Sequence, residues 1–377
     1  MKRPLEGVRI LDLSRLLPGP LCTLHFADLG ADVIKIEDPN GGDYARWIPP
    51  VKQSYSQLFL SLNRNKRSAL FDLTKAEDRK EFYKLVQTAD ILVESFRPGV
   101  TEKLQIDYKT LSALKPSLIY CSITGFGQTG PYQKKAGHDL NFMALAGILQ
   151  QIGTLSECVI PNFQIGDIVG GSLNAAFSIM VALFCQRETG KGQHLDISML
   201  DGAFAHSVIA LSSMETFGES LPAGKSLLNG GMPFYQTYKT ADERFLAVGA
   251  VEHKFWSQFC ELIGHPELRH SHIVMGDEAV SVKETVQSVI QTKTLAEWTE
   301  IFETADCCVS PVLKLEEAMK HPQILARNLV IHETHPTEGV VVQFAPPFKL
   351  ADFEFEIYRH APGYGEHTDE IRSELNS

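Results

Sequence analysis

Two side chains that could transfer protons stand at the starts of predicted helices. His138 lies in "AGHDLNF", ahead of an apolar run, and Asp167 opens "DIVGGSLNAAFSIMVALFCQRETG". The positive end of a helix dipole disfavours imidazolium and favours carboxylate, which predicts a neutral His138 and an ionised Asp167. Gly170 and Gly171 weaken the first turn, so their bare amides could serve a developing oxyanion. For an isolated pair, helix capping by Asp167 and an ordinary loop position for His138 are the simpler explanation.

Basic residues concentrate in two short stretches. "NRNKRS" holds Arg64, Lys66 and Arg67, and "SFRPG" holds Arg97. Most such side chains are solvated at a protein surface. At the carboxyl ends of parallel strands, however, they could form a small phosphate clamp. Position alone favours neither interpretation.

Two further patterns have a weaker chemical interpretation. "GFGQTG" has dinucleotide-motif spacing, but Pro131 and two lysines stand where the helix should begin, so NAD binding is not expected. Its glycines are expected to shape a loop that a ligand approaches closely. His265, His270 and His272 do not share one helical face and have no Cys or paired carboxylate beside them. No metal site is expected there.

The elements that must position these side chains follow from the hydrophobic pattern. Over the first 125 residues the strand-like stretches "VRILDLS", "DVIKIE", "SALFDL", "DILVES" and "SLIYCSITG" are separated by helical ones. This alternation predicts an α/β fold with a parallel sheet covered on both faces. Longer helices follow His138, and "DLNFMALAGILQQ" is expected to be capped by Asp139. Further on, "FYQTYKTADERFLAVGAV" predicts a hairpin, and residues 252–305 read as mostly helical.

Composition limits the class of protein. The 377 residues are 44% hydrophobic and 21% charged, with 46 acidic and 35 basic side chains and a net charge of −11. Without basic runs, nucleic acid is not an expected partner. Seven scattered cysteines with no C-x-x-C predict a reducing compartment. Charges interrupt the N-terminal apolar stretch and no run of 18 apolar residues occurs, so we expect neither signal peptide nor membrane span, and a cytoplasmic location.

The motifs together resemble those of the family III CoA-transferases, a group that includes α-methylacyl-CoA racemases. The resemblance begins with "GVRILDLSRLLPGPLCTLHFADLGADVIKIEDPNGGD" and continues through "SFRPGV", "TGFGQTGP", "AGHDLNF", "RETGKGQHLDISMLDG", "NGGMPFYQTYKTADERFLAVGAVE" and "GEHTDEI". It covers nearly the whole chain in the expected order. It implies acyl-CoA thioesters as substrates, so that coenzyme A is part of the substrate and no separate cofactor is expected.

The resemblance also implies an architecture. A Rossmann-like large domain would comprise residues 1–190, with 325–377 returning to it, and a smaller α+β domain would comprise residues 225–315. Residues 191–224 and 316–324 would be linkers. Two chains would form an interlocked homodimer, with each active site between the large domain of one chain and the small domain of the other.

Within the family, the motif variants favour a racemase. Both branches use an aspartate at the position of Asp167, as a nucleophile in transferases and as one of two acid/base groups in racemases. This chain has His138 in "GHD", where transferases tend to have tyrosine, and only Gly230 and Gly231 where formyl-CoA transferases have four glycines. The resemblance therefore implies racemisation of 2-methylacyl-CoA thioesters by His138 and Asp167, with Glu252 of "GAVE" orienting the imidazole.

Two alternatives stay open. A CoA-transferase would move CoA between carboxylic acids through an aspartyl-CoA thioester on Asp167, with His138 positioning the substrate. A CoA-thioester-binding protein without catalysis is disfavoured because it would have no use for His138, Asp167 and Glu252 together.

Two positions depart from the family pattern. Asp38 stands where relatives often have an arginine near CoA, and Phe142 replaces a tyrosine of some racemases, which removes a possible hydrogen bond near the thioester. The remaining candidates for contacts with the CoA phosphates are Arg64, Lys66, Arg97 and Lys135.

Overall fold

The structure is a computed structural model that describes residues 3–154 and 156–376. Its strands are, in chain order, β1 (Arg9–Asp12), β2 (Asp32–Glu37), β3 (Lys66–Leu70), β4 (Ile91–Glu94), β5 (Ile119–Thr124), β6 (His194–Ser198), β7 (Tyr235–Lys239), β8 (Phe245–Gly249), β9 (Val309–Pro311), β10 (Val330–His335) and β11 (Gly339–Phe344).

Helices fill most of the remaining chain. They are α1 (Pro18–Asp28), α2 (Gln57–Leu62), α3 (Ala76–Thr88), α4 (Val100–Lys103), α5 (Tyr108–Leu114), α6 (Asp139–Leu145), α7 (Asn174–Thr189), α8 (Met199–Ala205), α9 (Val208–Phe217), α10 (His253–Leu262), α11 (Gly276–Ile290), α12 (Leu295–Phe302), α13 (Leu315–Ala318), α14 (Pro322–Ala326) and α15 (Thr368–Glu374). A π-helical segment, Gly166–Leu173, runs directly into α7 and is called the π segment below. Short 3₁₀ turns are Tyr44–Arg46, Leu149–Gln151 and Pro266–Ser271.

The chain divides into two compact units. The large unit comprises the described parts of residues 1–146, 162–206 and 322–377, and the small unit those of 147–161 and 207–321. These boundaries differ from the domain limits expected from the resemblance. Strand β6 and helix α8 belong to the large unit rather than to a linker, whereas the segment 147–161 belongs to the small unit.

A parallel sheet forms the centre of the large unit, in the order β3-β2-β1-β4-β5-β6 among the described residues. Alternate residues of β1 face opposite layers. Ile10 packs with side chains of α1 and α7, and Leu11 packs with side chains of α3 and α5. Both faces are therefore buried, as parallel sheets require. The predicted α/β fold is confirmed.

One long helix requires a correction. The π segment and α7 form a continuous helix, Gly166–Thr189, and an 18-residue window within it has a mean hydropathy of 1.9. By length and composition alone, this helix could cross a membrane. The expectation that no segment could do so does not hold for it. In the structure, 39% of its 18-residue apolar window is buried. Ala175, Ile179 and Ala182 contribute to the core of the large unit, whereas Phe177 and Phe184 are exposed.

The small unit combines an antiparallel sheet, β7-β8-β9, with the helices α10, α11 and α12. β7 and β8 pair from Tyr235 opposite Gly249 to Lys239 opposite Phe245, which confirms the predicted hairpin. Its core contains stacked aromatic rings. The ring centroid of Phe302 lies 5.9 Å from that of Phe259 and 5.8 Å from that of Trp298. Aromatic pairs interact favourably at such separations.

A buried ion network joins the first three strands of the parallel sheet. Lys66 Nζ on β3 lies 3.1 Å from Asp12 Oδ2 on β1, and Lys35 Nζ on β2 lies 2.8 Å from Asp43 Oδ2. All four side chains are fully buried. Burial alone would raise the pKa of Asp12, but the ammonium groups of Lys66 and Lys35 outweigh it and hold that pKa below its usual range. Burial lowers the pKa of Lys66 to about 8.

Lys66→Met tests whether this network stabilises the fold. The variant would leave the Asp12 carboxylate buried without its nearest cation, which should lower the free energy of unfolding by about 3–5 kcal/mol. Urea denaturation at neutral pH measures the change. Lys80→Met removes the same charge from an exposed ion pair with Glu77 and should change little. Equal effects of the two variants would contradict a stabilising role for the buried pair.

Candidate active site

A pocket of about 450 Å³ lies in the large unit, beside the carboxyl ends of β1, β4 and β5. We call it the strand-end pocket. Its walls come from the turns that follow these strands, from the segment before α6, and from the π segment, and include Arg15, Leu16, Tyr44, Ser95, Phe96, Arg97, Phe126, Lys135, His138, Phe142 and Asp167. Open α/β sheets bind ligands at this edge, so it is the expected place for a site.

His138 and Asp167, the two predicted proton-transfer residues, line this pocket together. His138 occupies the N-cap position of α6 in extended backbone geometry, and its N–H donates to Asn141 Oδ1 at 3.0 Å. Asp139, the expected cap, is instead the first residue of the helix. Its Oδ1 accepts the N–H of Asp167 at 3.0 Å. This bond ties the start of α6 to the π segment and thereby places the two predicted groups in one site.

The environment of Asp167 overturns its predicted resting form. Asp167 is the second residue of the π segment rather than its cap, which is Ile165. Burial, and then the negative charge of Asp139, raise the pKa of Asp167 to about 7. A shift of this size corresponds to roughly 4 kcal/mol, whereas a helix dipole contributes about 0.3–1 kcal/mol. Desolvation therefore decides the pKa, and the expectation of a fully ionised carboxylate is wrong.

Gly170 and Gly171 lie at close helix contacts, and the oxyanion role expected of their amides stays a prediction. A Cβ on Gly170 would lie 2.4 Å from the carbonyl oxygen of Met199 at the start of α8, and a Cβ on Gly171 would lie 3.0 Å from Pro18 Cβ. Gly202 on α8 faces Gly170 in turn, because a Cβ added to Gly202 would lie 2.6 Å from the Cα of Gly170. Close helix packing explains these glycines.

Glycines around Phe142 shape another wall of the pocket. A Cβ on Gly125, the first glycine of "GFGQTG", would lie 2.4 Å from the Phe142 ring, and one on Gly137 would lie 2.7 Å from it. The Phe126 ring meets Phe142 edge to face, with ring centroids 5.2 Å apart. Phe142 is only 2% exposed. The glycines admit this ring, which gives the pocket an apolar wall.

Of the four candidate phosphate contacts, Arg97 and Lys135 line the strand-end pocket. Arg64 and Lys66 do not. Arg64 is buried, with Nε 3.0 Å from Asp28 Oδ1 and Nη2 2.6 Å from Asp28 Oδ2. Lys66 is fully buried in the ion network. Neither interpretation of "NRNKRS", a solvated surface or a phosphate clamp, describes these two residues, because their charges are neutralised inside the protein.

Arg15 is a pocket residue that the motif analysis missed. It follows β1, and its guanidinium carbon lies 5.7 Å from the Phe96 ring centroid and 6.0 Å from that of Tyr44. The next residue, Leu16, has a φ of 64°, a left-handed conformation that is uncommon outside glycine and marks a tight turn. The available signal was the position of "SRLLPGP" at the first strand–helix turn.

The strand-end pocket is therefore strongly basic. Arg15, Arg97 and Lys135 contribute fixed positive charge, and among its described lining residues Asp167 is the only carboxylate. In a chain of net charge −11, such a local excess of cations suits an anionic ligand.

Glu252 lies in the small unit, at the N-cap position of α10, and is exposed. Burial raises the pKa of the Cys308 thiol, and the negative charge of Glu252 is the second cause. The predicted pairing of Glu252 with His138 of the large unit stays a prediction.

A basic pocket at the strand ends of a parallel α/β unit, with a histidine and a carboxyl group on its walls, defines a site for acid–base or acyl-transfer chemistry on an anionic substrate. The model of CoA-transferase family III matches residues 5–368, and the chain belongs to this family. The family predicted from the motifs is thus confirmed.

Relatives in this family include two activities. The chain is 36% identical to the alpha-methylacyl-CoA racemase of Homo sapiens, over 98% of this chain and 93% of that protein. It is 32% identical to the succinyl-CoA:glutarate CoA-transferase of Mus musculus, over 99% of this chain and 86% of that protein. The crystal structure of a CAIB/BAIF family protein from Brucella suis has a TM-score of 0.86 and 28% identity, with 100% of both chains covered.

The pKa of Asp167 can be measured directly. With ¹³C-labelled aspartate, the carboxyl resonance of Asp167, assigned by its loss in Asp167→Asn, should titrate near pH 7. Asp139→Asn should lower the midpoint, because it removes a like charge while its side-chain oxygen can still accept the Asp167 N–H. The midpoint should stay above 3.8, since burial remains.

The same pKa has a consequence for stability. Because the folded-state pKa exceeds the unfolded value, Asp167 lowers the free energy of unfolding as pH rises from about 4 to 7. Asp167→Asn should therefore stabilise the fold more at pH 8 than at pH 5. A midpoint near 4 in the wild-type protein would contradict both expectations.

Proposed function

We propose that the protein racemises 2-methylacyl-CoA thioesters by two-base transfer of the α-proton, with His138 and Asp167 as the two groups. The observation that carries the proposal is the presence of both side chains in one basic pocket, with burial and Asp139 raising the pKa of Asp167 to about 7. A group with such a pKa can both accept and donate a proton near neutral pH.

The proton balance of this reaction is simple. In one direction the neutral imidazole of His138 takes the α-proton, and the electron pair passes into the thioester carbonyl to give an enolate. The protonated carboxyl group of Asp167 then returns a proton to the opposite face of the α-carbon. The reverse direction exchanges the two roles, so that no net proton, electron or group is consumed.

The remaining residues of the pocket suit the rest of an acyl-CoA. Arg15, Arg97 and Lys135 provide cations for the CoA phosphates. Phe126, supported from behind by the buried Phe142, provides apolar surface for the acyl portion. Arg64 and Lys66 have no part in this proposal because they are buried in ion pairs. Glu252 is proposed to orient His138 and to stabilise its imidazolium form.

CoA transfer through Asp167 is the second candidate, supported by the similarity to the succinyl-CoA:glutarate CoA-transferase. In this reaction the Asp167 carboxylate attacks the thioester carbonyl and displaces CoA thiolate, giving an acyl anhydride. The thiolate then attacks the aspartyl carbonyl of that anhydride, which forms the aspartyl-CoA thioester and releases the first acid. This route requires the ionised form of Asp167 and a second carboxylic acid. The raised pKa of Asp167 favours the racemase.

Incubation of the purified protein with a (2R)-2-methylacyl-CoA in D₂O, without a second acid, distinguishes the two reactions. Racemisation should incorporate deuterium at C2, measured by mass spectrometry, and should convert the (2R) thioester into a mixture of C2 epimers, measured by chiral chromatography. His138→Ala and Asp167→Asn should each lower the rate by about 10²–10⁴-fold, the usual contribution of a general acid or base. Glu252→Gln should lower kcat more than it raises KM.

Two exposed residues of the large unit provide matched controls. His332→Ala and Asp352→Asn remove the same side-chain types outside the pocket and should leave exchange unchanged. No deuterium incorporation, together with CoA transfer to an added free acid that depends on Asp167, would replace the racemase proposal by the transferase.

The proposal includes a homodimer. The large unit exposes aromatic side chains on α7 and α8, where Phe177 is 72%, Phe184 66% and Phe204 67% exposed. Large apolar side chains exposed on these two helices favour an interaction surface. Sedimentation velocity should therefore give twice the mass of the chain. Phe177→Ser combined with Phe184→Ser should shift the protein towards monomer, and a monomeric wild-type protein would refute the dimer.

A further inference from the structure

A second pocket lies wholly within the small unit and contains neither His138 nor Asp167. It has a volume of about 730 Å³. Its walls come from the segment between the Leu149–Gln151 turn and the π segment, from the loop between α9 and β7, from β7 and β8, from α11, and from the start of β9. We call it the two-lysine pocket. The polar side chains on its walls are those of Thr154, Ser156, Lys225, Asn229, Tyr235, Gln236, Thr237, Lys283, Cys308 and Ser310.

The loop that carries Lys225 is held in a defined shape. Asn229 accepts the N–H of Gly224 through its side-chain oxygen and donates to the carbonyl of Gln151 at 2.9 Å. The N–H of Gly231 donates to the carbonyl of Ser226 at 3.0 Å. These bonds connect two segments of the small unit, so the pocket wall is built by specific contacts rather than by a free surface loop.

Lys283 projects from α11 onto the same loop. Its ammonium group donates to the carbonyls of Gly230 at 3.2 Å and Gly231 at 3.4 Å. The side chain is half-buried, and its pKa is lowered by burial and then by the charge of Lys225. The two cations therefore act on each other. Neither forms a salt bridge with any residue in the described part of the chain.

Acidic side chains are missing from the described walls of the pocket. Acids outnumber bases by 46 to 35 in this chain, so a pocket with two lysines and no carboxylate departs from the composition around it. The charges of Glu252 and Asp306 act on Cys308 at one edge, partly opposed by Lys254. Neither of these two carboxylates forms an ion pair with Lys225 or Lys283 in the described part of the chain.

We propose that the two-lysine pocket of the small unit binds a small oxyanion, a carboxylate or a phosphate group, between Lys225 and Lys283. Such a group would supply the missing negative charge and accept charge-assisted hydrogen bonds from the two ammonium groups. The hydroxyl groups of Thr154, Thr237 and Ser310 on the walls can donate to its remaining oxygens. Oxyanion binding here does not depend on which of the two reactions the strand-end pocket supports.

Cys308 supplies a readout inside the pocket. Its thiol is exposed, and it can be alkylated by iodoacetate, which is itself a small carboxylate, or by neutral iodoacetamide. The thiolate attacks the CH₂ carbon of either reagent and displaces iodide, so the ratio of the two rates cancels any difference in thiol pKa. Peptide mass spectrometry measures that ratio at Cys308 and, as an internal reference, at exposed Cys158.

The rate of alkylation by iodoacetate divided by the rate by iodoacetamide should fall about three- to tenfold at Cys308 in the double variant Lys225→Met/Lys283→Met. This is the size of effect expected from two nearby unit charges in a water-like dielectric. The ratio at Cys158 should not change. Lys84→Met/Lys320→Met removes the same charge from exposed positions elsewhere and should leave Cys308 unaffected. A thermal melt of each variant verifies that it is folded.

Competition identifies the anion. At constant ionic strength against chloride, sodium succinate or sodium phosphate should slow the alkylation of Cys308 by iodoacetamide in the wild-type protein and not in Lys225→Met/Lys283→Met. Protection by succinate alone assigns a carboxylate, protection by phosphate alone assigns a phosphate, and protection by both supports a general oxyanion site. The proposal fails if neither anion protects, if the rate ratio is independent of the lysines, or if Cys308 reacts with neither reagent.

Discussion

The fully buried ion pair between Lys66 and Asp12 is the constraint on which the strand-end pocket depends. Asp12 is the last residue of β1, at the centre of the sheet, and it also accepts the N–H of Ser14 at 3.0 Å and the hydroxyl of Thr23 at 2.6 Å. A buried charge costs several kcal/mol unless it is paired and hydrogen-bonded. The turn after β1 is therefore held against α1 and β3, and this turn presents Arg15 to the pocket.

A second consequence of close packing is the protonation state of Asp167. The π segment approaches α8 so closely that Gly170 has no room for a side chain, and the Asp139 carboxylate binds the Asp167 backbone. Packing removes water from the Asp167 carboxyl group while the hydrogen bond brings a second acid near it. The same contacts that fix the position of Asp167 thus raise its pKa.

The sequence predicted the elements that follow from local pattern. The strands of the parallel sheet and the hairpin of β7 and β8 could be predicted because they depend on periodicity. The motifs also selected His138 and Asp167, which line one pocket. The burial of Arg64 and Lys66 could not be predicted, since their carboxylate partners lie 36 and 54 residues away in the chain. The pKa of Asp167 was missed for the same reason, because desolvation depends on tertiary neighbours that a helix-start argument does not contain.

The strand-end pocket differs in charge from the chain as a whole. Net charge is −11, which repels anions at long range, but Arg15, Arg97 and Lys135 gather positive charge at one edge of the sheet, and screening confines the repulsion to about 10 Å. Binding of phosphates would neutralise these cations. The pKa of Asp167 is raised by burial and by Asp139 rather than by any of the three. The raised pKa of Asp167 therefore belongs to the fold of the large unit and does not depend on the charges of these three cations.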